Sequence, residues 1–562
     1  MSKGLHSSDY IVFLIYFMVV AVYGYWIYNR KKKTQLDSKD FFLAEGSLTW
    51  WAIGASLIAS NISAEQMIGM SASGFKLGLA ISAYEWMAAA TLIIVAVFFM
   101  PVYLKNNIFT MPQFLSTRYN ERVALIMAVF WLALYIIVNL MSILYLGALA
   151  ISGISGLSIL VCILGLALFA IVITLGGMKV IGYTDVIQVF FLVLGGLVAT
   201  YIALDMISDG QGVMHGFSML TDGASEHFHL IFDKTNPNYI DLPGLSVLIG
   251  GMWIANLSYW GCNQYITQRA LGASLPVARS GLLFAAFLKM LMPVIVVIPG
   301  IAVYYIIKEE IPGISASNML TSSGVQDPNK AYPALLSLLP VGLKGLSFAA
   351  LTAAIVASLA GKANSIATIF TLDIYKKAFN QTASEARLVN VGRLTVVVSM
   401  LIAVVLSLIL GDALMGEGKQ GFQYIQEYSG FVSPGIFAMF ILGFFWKKTT
   451  SNAALFATIG GFAIAVILKL LPQWVDLSGL YEYGWAVQNS SGVYEIPFMD
   501  RMLIIFTICI IGMYIISKYE TNRGVVAKGL EVDASMFKVS TSFAIGALII
   551  VTMLVALYTA FW

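Results

Sequence analysis

The polar run Ala59-Ser60-Asn61-Ile62-Ser63-Ala64-Glu65-Gln66 sits in the middle of an apolar stretch, Trp50 to Phe75. In hydrocarbon an unsatisfied polar group costs several kcal/mol. The run therefore faces a wet cavity at a broken helix, or it glues helices together as a buried polar cluster. A second run of the same character, Ala255-Asn256-Leu257-Ser258-Tyr259-Trp260-Gly261-Cys262-Asn263-Gln264, interrupts a later apolar stretch. Ionisable or amide groups also lie inside apolar segments at Glu85, Asp185, Lys289, Lys362, Gln426 and Glu427, and such groups are functional candidates by default. Each also reads as half of a structural pair, Glu85 with Lys289 for example. Gln66, Glu85, Asn256, Lys289 and Gln426 together supply donors and acceptors. The aromatic residues Tyr84, Tyr259, Trp260 and Phe422 neighbour them in sequence. A neutral polyol suits that set, because hydroxyls need paired donors and acceptors while a sugar ring offers an apolar face to an aromatic. A carboxylate ligand would call for an arginine or a helix N-terminus, and no arginine lies deep in these segments.

The elements that must carry these residues are membrane helices. Of 562 residues 59% are hydrophobic and 11% charged, with a mean hydropathy of +0.86, which places the chain among all-α polytopic membrane proteins. A net charge of +3 gives no argument for a nucleic-acid partner. Cys162, Cys262 and Cys509 are too scattered for a disulfide framework or a metal site. The histidines fall outside the apolar segments, and His227-x-His229 reads as a solvated loop pair rather than a metal ligand pair. No nucleophile–base arrangement, metal spacing or phosphate loop points to an enzyme.

Fourteen apolar segments are long enough to span a bilayer: 10–28, 49–74, 78–104, 122–149, 156–176, 181–205, 244–269, 279–307, 342–375, 390–411, 423–446, 452–471, 500–517 and 539–561. Basic residues fall in alternate loops, Arg30 to Lys33 and Lys376-Lys377 among them, which predicts both termini outside. The first segment does not read as a cleaved signal peptide. Segments 49–205 and 244–446 form two five-span sets of opposite orientation, each opening on an interrupted span, with a loop at 206–243 between them. The spans at 10–28 and 452–561 are then peripheral. Paired broken spans in inverted halves are the sequence mark of a secondary transporter. A ligand-gated ion leak is the alternative class.

The motifs Ala-Ser-Asn-Ile-Ser-Ala-Glu-Gln-x-Ile-Gly-Met (59–70), Ala-Tyr-Glu-Trp-Met (83–87), Thr-Asp-Val-Ile-Gln (184–188), Phe-Ala-Ala-Phe-Leu-Lys (284–289) and Phe-Gln-Tyr-Ile-Gln-Glu-Tyr (422–428) resemble the solute:sodium symporter family over nearly the whole chain. The resemblance implies a LeuT-like fold of two inverted five-helix repeats plus peripheral helices, working by alternating access in the cytoplasmic membrane. It implies sodium-coupled symport of a neutral monosaccharide of galactose or glucose type, with no cofactor, and leaves the oligomeric state open. The family's sugar ligands match Asn61, Gln66, Glu85, Asn256, Lys289 and Gln426. Its inner-gate aromatic matches Tyr259, with Trp260 beside it, and its outer gate matches Met70, Tyr84 and Phe422. One sugar-contacting serine falls at Ala88, which leaves open which sugar epimer fits; the alternative substrates are myo-inositol or another neutral polyol, and then an amino acid such as proline.

The family's sodium carbonyls match Ala59, Ile62 and Ala354. The usual pair of hydroxyl residues reads Ala357-Ser358, so one hydroxyl remains. Asp185 matches an aspartate on the inward sodium path. Lys362 stands where relatives are uncharged, four residues beyond Ser358 on the same helix face. It lies roughly 21 Å of helix from the cytoplasmic end at Lys376. Lys362 has three readings. It lines an inward cavity; or its ammonium fills or repels the sodium site and makes coupling weak or proton-linked; or it pairs with an acid elsewhere in the chain.

Overall fold

The computed structural model describes residues 6–30, 48–63, 65–176, 178–320, 324–415, 421–489 and 491–562. Lys31, Lys32 and Lys33, and Ala64 of the first polar run, lie outside the described residues. The chain is helical almost throughout, with one two-stranded antiparallel hairpin, Val487–Gln488 with Tyr494–Glu495, among the described residues. It folds as two compact units. The first contains Met1–Ser82, Leu132–His229 and Phe287–Ile425, and the second Ala83–Trp131, Leu230–Ala286 and Gln426–Trp562.

Ten helices among the described residues are long and apolar enough to cross a membrane. The bent pair Gly421–Ser429 and Ser433–Phe445, at 47°, makes an eleventh if taken as one span. The fourteen expected spans are not reached on this measure, for a physical reason. Each expected segment contains helix, but the two interrupted ones are divided into Trp50–Asn61 with Glu65–Met70 and Gly251–Cys262 with Gln264–Leu271. A third, Ile159–Thr174, has 16 residues. Proline sets some of the divisions, since it lacks an N–H and clashes with the carbonyl four residues back. Pro299 opens Ile298–Lys308 just after Leu275–Val296 ends, and Pro434 opens Ser433–Phe445 beyond the 47° bend.

In the first unit, Leu343–Thr368 is the central helix. It packs against Ser7–Arg30, Ile159–Thr174 and Met178–Ile207, and nearly every residue along it is buried, Lys362 included. Its N-terminus is capped from a distance: the Asp9 carboxylate accepts the backbone N–H groups of Gly342 at 2.8 Å and Gly345 at 3.0 Å. Two of the four orphan donors at this helix start are thereby used, and the negative charge meets the positive end of the helix dipole. Ser71–Leu77 and Ile298–Lys308 approach so closely that a Cβ at Gly300 would lie 2.0 Å from the Ser71 carbonyl oxygen. In the second unit, Gly251–Cys262 packs on Ala83–Ile94 and on Ser433–Phe445. Arg118 closes the C-terminal end of the latter by donating to the carbonyls of Gly443, Trp446 and Thr449. Many large apolar side chains point outward, Leu14, Leu168, Ile409 and Leu548 among them, as hydrocarbon contact requires.

Candidate functional site

The first break is a stop and a restart. Trp50–Asn61 ends where Ile62 leaves helical geometry (φ −78°, ψ 107°). Ser63 then caps the restarting helix: its hydroxyl accepts from Glu65 N at 3.2 Å, and its carbonyl receives Gln66 N at 3.2 Å and Met67 N at 3.0 Å. The chain resumes as a wide π-helical turn, Glu65–Met70, before Ser71–Leu77, a local geometry common at functional positions. Ser60 and Asn61, predicted to lie inside the interruption, are still helical. The second break is tighter and has the same logic. Gly251–Cys262 stops at Asn263, whose side chain accepts from Tyr265 N at 3.2 Å and whose carbonyl receives Ile266 N and Thr267 N. Tyr103 Oη donates to the Gly261 carbonyl at 2.6 Å just before it.

Within the first unit, polar side chains join the first broken helix to other helices. Lys289 Nζ donates to Asn61 Oδ1, so two of the predicted solute ligands are joined directly. Ser358, the remaining hydroxyl of the predicted sodium set, donates to the Ser60 carbonyl at 3.0 Å. Ser60 Oγ donates to the Ser56 carbonyl at 2.7 Å, and Ser56 Oγ to Asp185 Oδ2 at 2.7 Å. A line of polar atoms therefore runs from Ser358 along the inner face of Trp50–Asn61 to Asp185. Ala59, Ile62 and Ala354 are buried on the elements this line connects, and Ala357 is buried as well, with no hydroxyl to offer.

Lys362 has a partner. Its ammonium lies 3.7 Å from Glu65 Oε2, with the lysine 2% and the glutamate 7% exposed. Ser142 Oγ donates to the other carboxylate oxygen at 3.2 Å. Of the three readings of Lys362, the geometry matches pairing with an acid. Glu65 was legible only as part of a polar run, because 297 positions separate it from Lys362.

The remaining candidates divide between the two units. In the first, Gln66 and Met70 are buried in the π-helical turn, and Phe422 packs so closely over Gly69 that a Cβ there would lie 2.8 Å from its own. In the second unit, Tyr84, Glu85 and Ala88 are buried in Ala83–Ile94. Asn256, Tyr259 and Trp260 share Gly251–Cys262, the two aromatic rings meeting edge to face at 5.2 Å. Gln426 lies on Gly421–Ser429, next to Glu427, which is held by Lys469 at 2.6 Å and by Arg501. One expectation needs correction. His227 is not solvated: at 9% exposure it stacks on Tyr304, ring centroids 3.9 Å apart, with Nε2 3.1 Å from the Phe75 carbonyl. On the first helix, Asp9 caps the helix that bears Ser358. A lone acid near the N-terminus of the chain gives no sequence signal for a cap more than 300 residues away.

The model of the sodium:solute symporter family matches residues 41–461. The chain is 48% identical to a sodium/glucose cotransporter of Vibrio parahaemolyticus, over 100% of this chain and 99% of that protein. It is 34% identical to the human sodium/myo-inositol cotransporter 2, over 84% of this chain and 70% of that protein. A solved Na+-coupled sialic acid symporter in a substrate-bound outward-open state superimposes with a TM-score of 0.76 at 21% identity, covering 93% of this chain and 100% of the other. The shared fold is the LeuT-like one.

Proposed function

The chain belongs to the sodium:solute symporter family, and we propose that it couples the uptake of a neutral monosaccharide, of galactose or glucose type, to sodium. The observation that carries the sodium half is the Ser358 hydroxyl seated 3.0 Å from the Ser60 carbonyl. That contact brings the one hydroxyl of the sodium set to the backbone of the broken helix. Sodium, a hard cation that takes oxygen ligands, would be held by the carbonyls of Ala59, Ile62 and Ala354 with Ser358 Oγ. It would then bridge the break and Leu343–Thr368, and leave inward past Asp185 along the serine line.

The sugar half is supported by the Lys289–Asn61 bond and by the aromatic pair Tyr259–Trp260 on the other broken helix. We assign sugar contact to Asn61, Gln66 and Lys289 in the first unit and to Glu85, Asn256 and Gln426 in the second. The gates are Met70 and Phe422 in the first and Tyr84, Tyr259 and Trp260 in the second. The relatives' sodium/glucose and sodium/myo-inositol activities agree with a polyol. The 34% identity to a sodium/myo-inositol cotransporter makes myo-inositol the second reading.

The proposal includes fourteen spans in a bilayer, inverted repeats at 49–205 and 244–446, a cytoplasmic-membrane location and both termini outside. The Asp9 bonds to Gly342 and Gly345 support that topology, since they put the start of the first span and the start of the ninth at one level. The driving force is adequate. One charge crossing ~100 mV supplies about 2.3 kcal/mol, and a tenfold sodium gradient adds about 1.4 kcal/mol. Substrate identity is tested by competing sodium-dependent galactose uptake with unlabelled glucose, myo-inositol and proline. Displacement by glucose supports the proposal, displacement by myo-inositol alone moves the substrate to the polyol, and displacement by proline alone overturns it.

A further inference from the structure

The break in the first unit is tied to one helix from both sides. Before it, the Ser60 carbonyl accepts from Ser358; after it, the Glu65 carboxylate meets Lys362. Ser358 and Lys362 are four residues apart on Leu343–Thr368, one helical turn on the same face. Between the ties the backbone leaves helical geometry at Ile62 and Ser63, so the last carbonyls of Trp50–Asn61 lose their intrahelical partners. A tie on one side alone would fix where the helix stops but not where it restarts.

We propose that the Glu65–Lys362 ion pair is a positioning element of the sodium site, holding the restarting half of the broken helix against the Ser358 helix so that one hydroxyl suffices there. This rests on the sodium reading above. The pair is suited to the task. Both groups are buried, where a charge-assisted contact is stronger and more directional than at a surface. Ser142 fixes the carboxylate by holding Oε1, which leaves Oε2 to Lys362. The ammonium rests on the carboxylate, so Lys362 acts on the site through Glu65 and the backbone. The pair is net neutral, so it leaves sodium's own charge uncompensated and sets geometry rather than charge. A paired charge inside the membrane is costly enough that selection for geometry explains it better than packing does.

The test measures half-saturating sodium for sugar uptake in proteoliposomes. E65Q/K362M, which removes both charges at once, is expected to raise it about tenfold, the scale of coupling between neighbouring groups in one network. That rise should exceed any change in maximal rate or in half-saturating sugar at high sodium. Adding A357S, which restores a second hydroxyl, should bring the value back toward the starting protein. The reversed pair E65K/K362E should lie closer to the starting protein than the neutral variant does. A neutral variant with unchanged half-saturating sodium and only a lower rate would overturn the inference. If the neutral variant does not reach the membrane, K362R gives the same readout, because it keeps the charge and moves the donors: a shift supports the inference, and an unchanged value overturns it. S358A separates the two claims. Sodium dependence that survives S358A overturns the sodium reading itself. Loss of dependence in S358A with no shift in the pair variant overturns only the role of the pair.

Discussion

In the proposed sodium site, Ser358 supplies the one side-chain hydroxyl. Its hydroxyl is spent on the Ser60 carbonyl, and a cation held by the carbonyls of Ala59, Ile62 and Ala354 would take Ser358 Oγ from that hydrogen bond. Ser358→Ala should raise half-saturating sodium at least about tenfold, the worth of one oxygen contact to a charge, read from sodium titrations of uptake. On the proposed solute side, Lys289 donates to Asn61. Lys289→Met leaves Asn61 Oδ1 without that donor and should raise half-saturating sugar about ten- to hundredfold with a smaller effect on sodium. An equal loss on both axes would mean that the bond to Asn61 serves the fold instead. His227 gives a pH prediction. Burial lowers its proton affinity below the ordinary value, against opposing effects of the Phe75 carbonyl and Glu226. Glu226, 4.0 Å from Nδ1, is itself pulled up by burial but held at about 2 by bonds from Lys308, the backbone and Tyr304, so it stays ionised. An unfolded His227 takes its proton near pH 6.5. The loop's stability from this contact is therefore full above that pH and is lost as pH falls through the lower folded value. Protection factors of amides in the 206–243 loop, corrected for the intrinsic pH dependence of exchange, should fall as pH drops from about 7.5 to about 5, and His227→Phe should flatten that change.

The elements obey local rules that can be tested one at a time. Asp9→Ala removes a remote cap from Leu343–Thr368 and should cost about 1 kcal/mol, seen as a lower melting temperature in detergent. Gly300→Ala forces a Cβ to within 2.0 Å of the Ser71 carbonyl oxygen. Backbone cannot yield as a side-chain tip does, so this variant should lose more stability than Asp9→Ala, and a neutral result would contradict the observed helix spacing. The breaks themselves were legible, because a polar run inside an apolar segment needs partners that a regular lipid-facing helix does not offer. Their end points were not: Ser60 and Asn61 remain helical, and the stops fall at Ile62 and Asn263, where capping by Ser63 and by Asn263 itself decides. Pairing was legible least. Lys362 announced itself as too deep to reach water, but periodicity along one helix cannot reveal a Glu65 on another. The same limit hid Asp9 and the stacking of His227 on Tyr304.

At the scale of the whole molecule, an apolar exterior, two interrupted helices and membership of the sodium:solute symporter family join into one claim: a sodium gradient drives solute accumulation. The composition made the membrane class plain, while the number of spans by helix length falls short of fourteen because broken helices divide their apolar runs. The central claim is tested most directly by loading proteoliposomes and following labelled galactose and glucose under an inward sodium gradient, a matched potassium gradient and a proton gradient. The expected result is accumulation above the outside concentration with sodium only, collapsing when the sodium gradient is dissipated. Uptake that proceeds equally with potassium or with protons, and never exceeds equilibration, would contradict it.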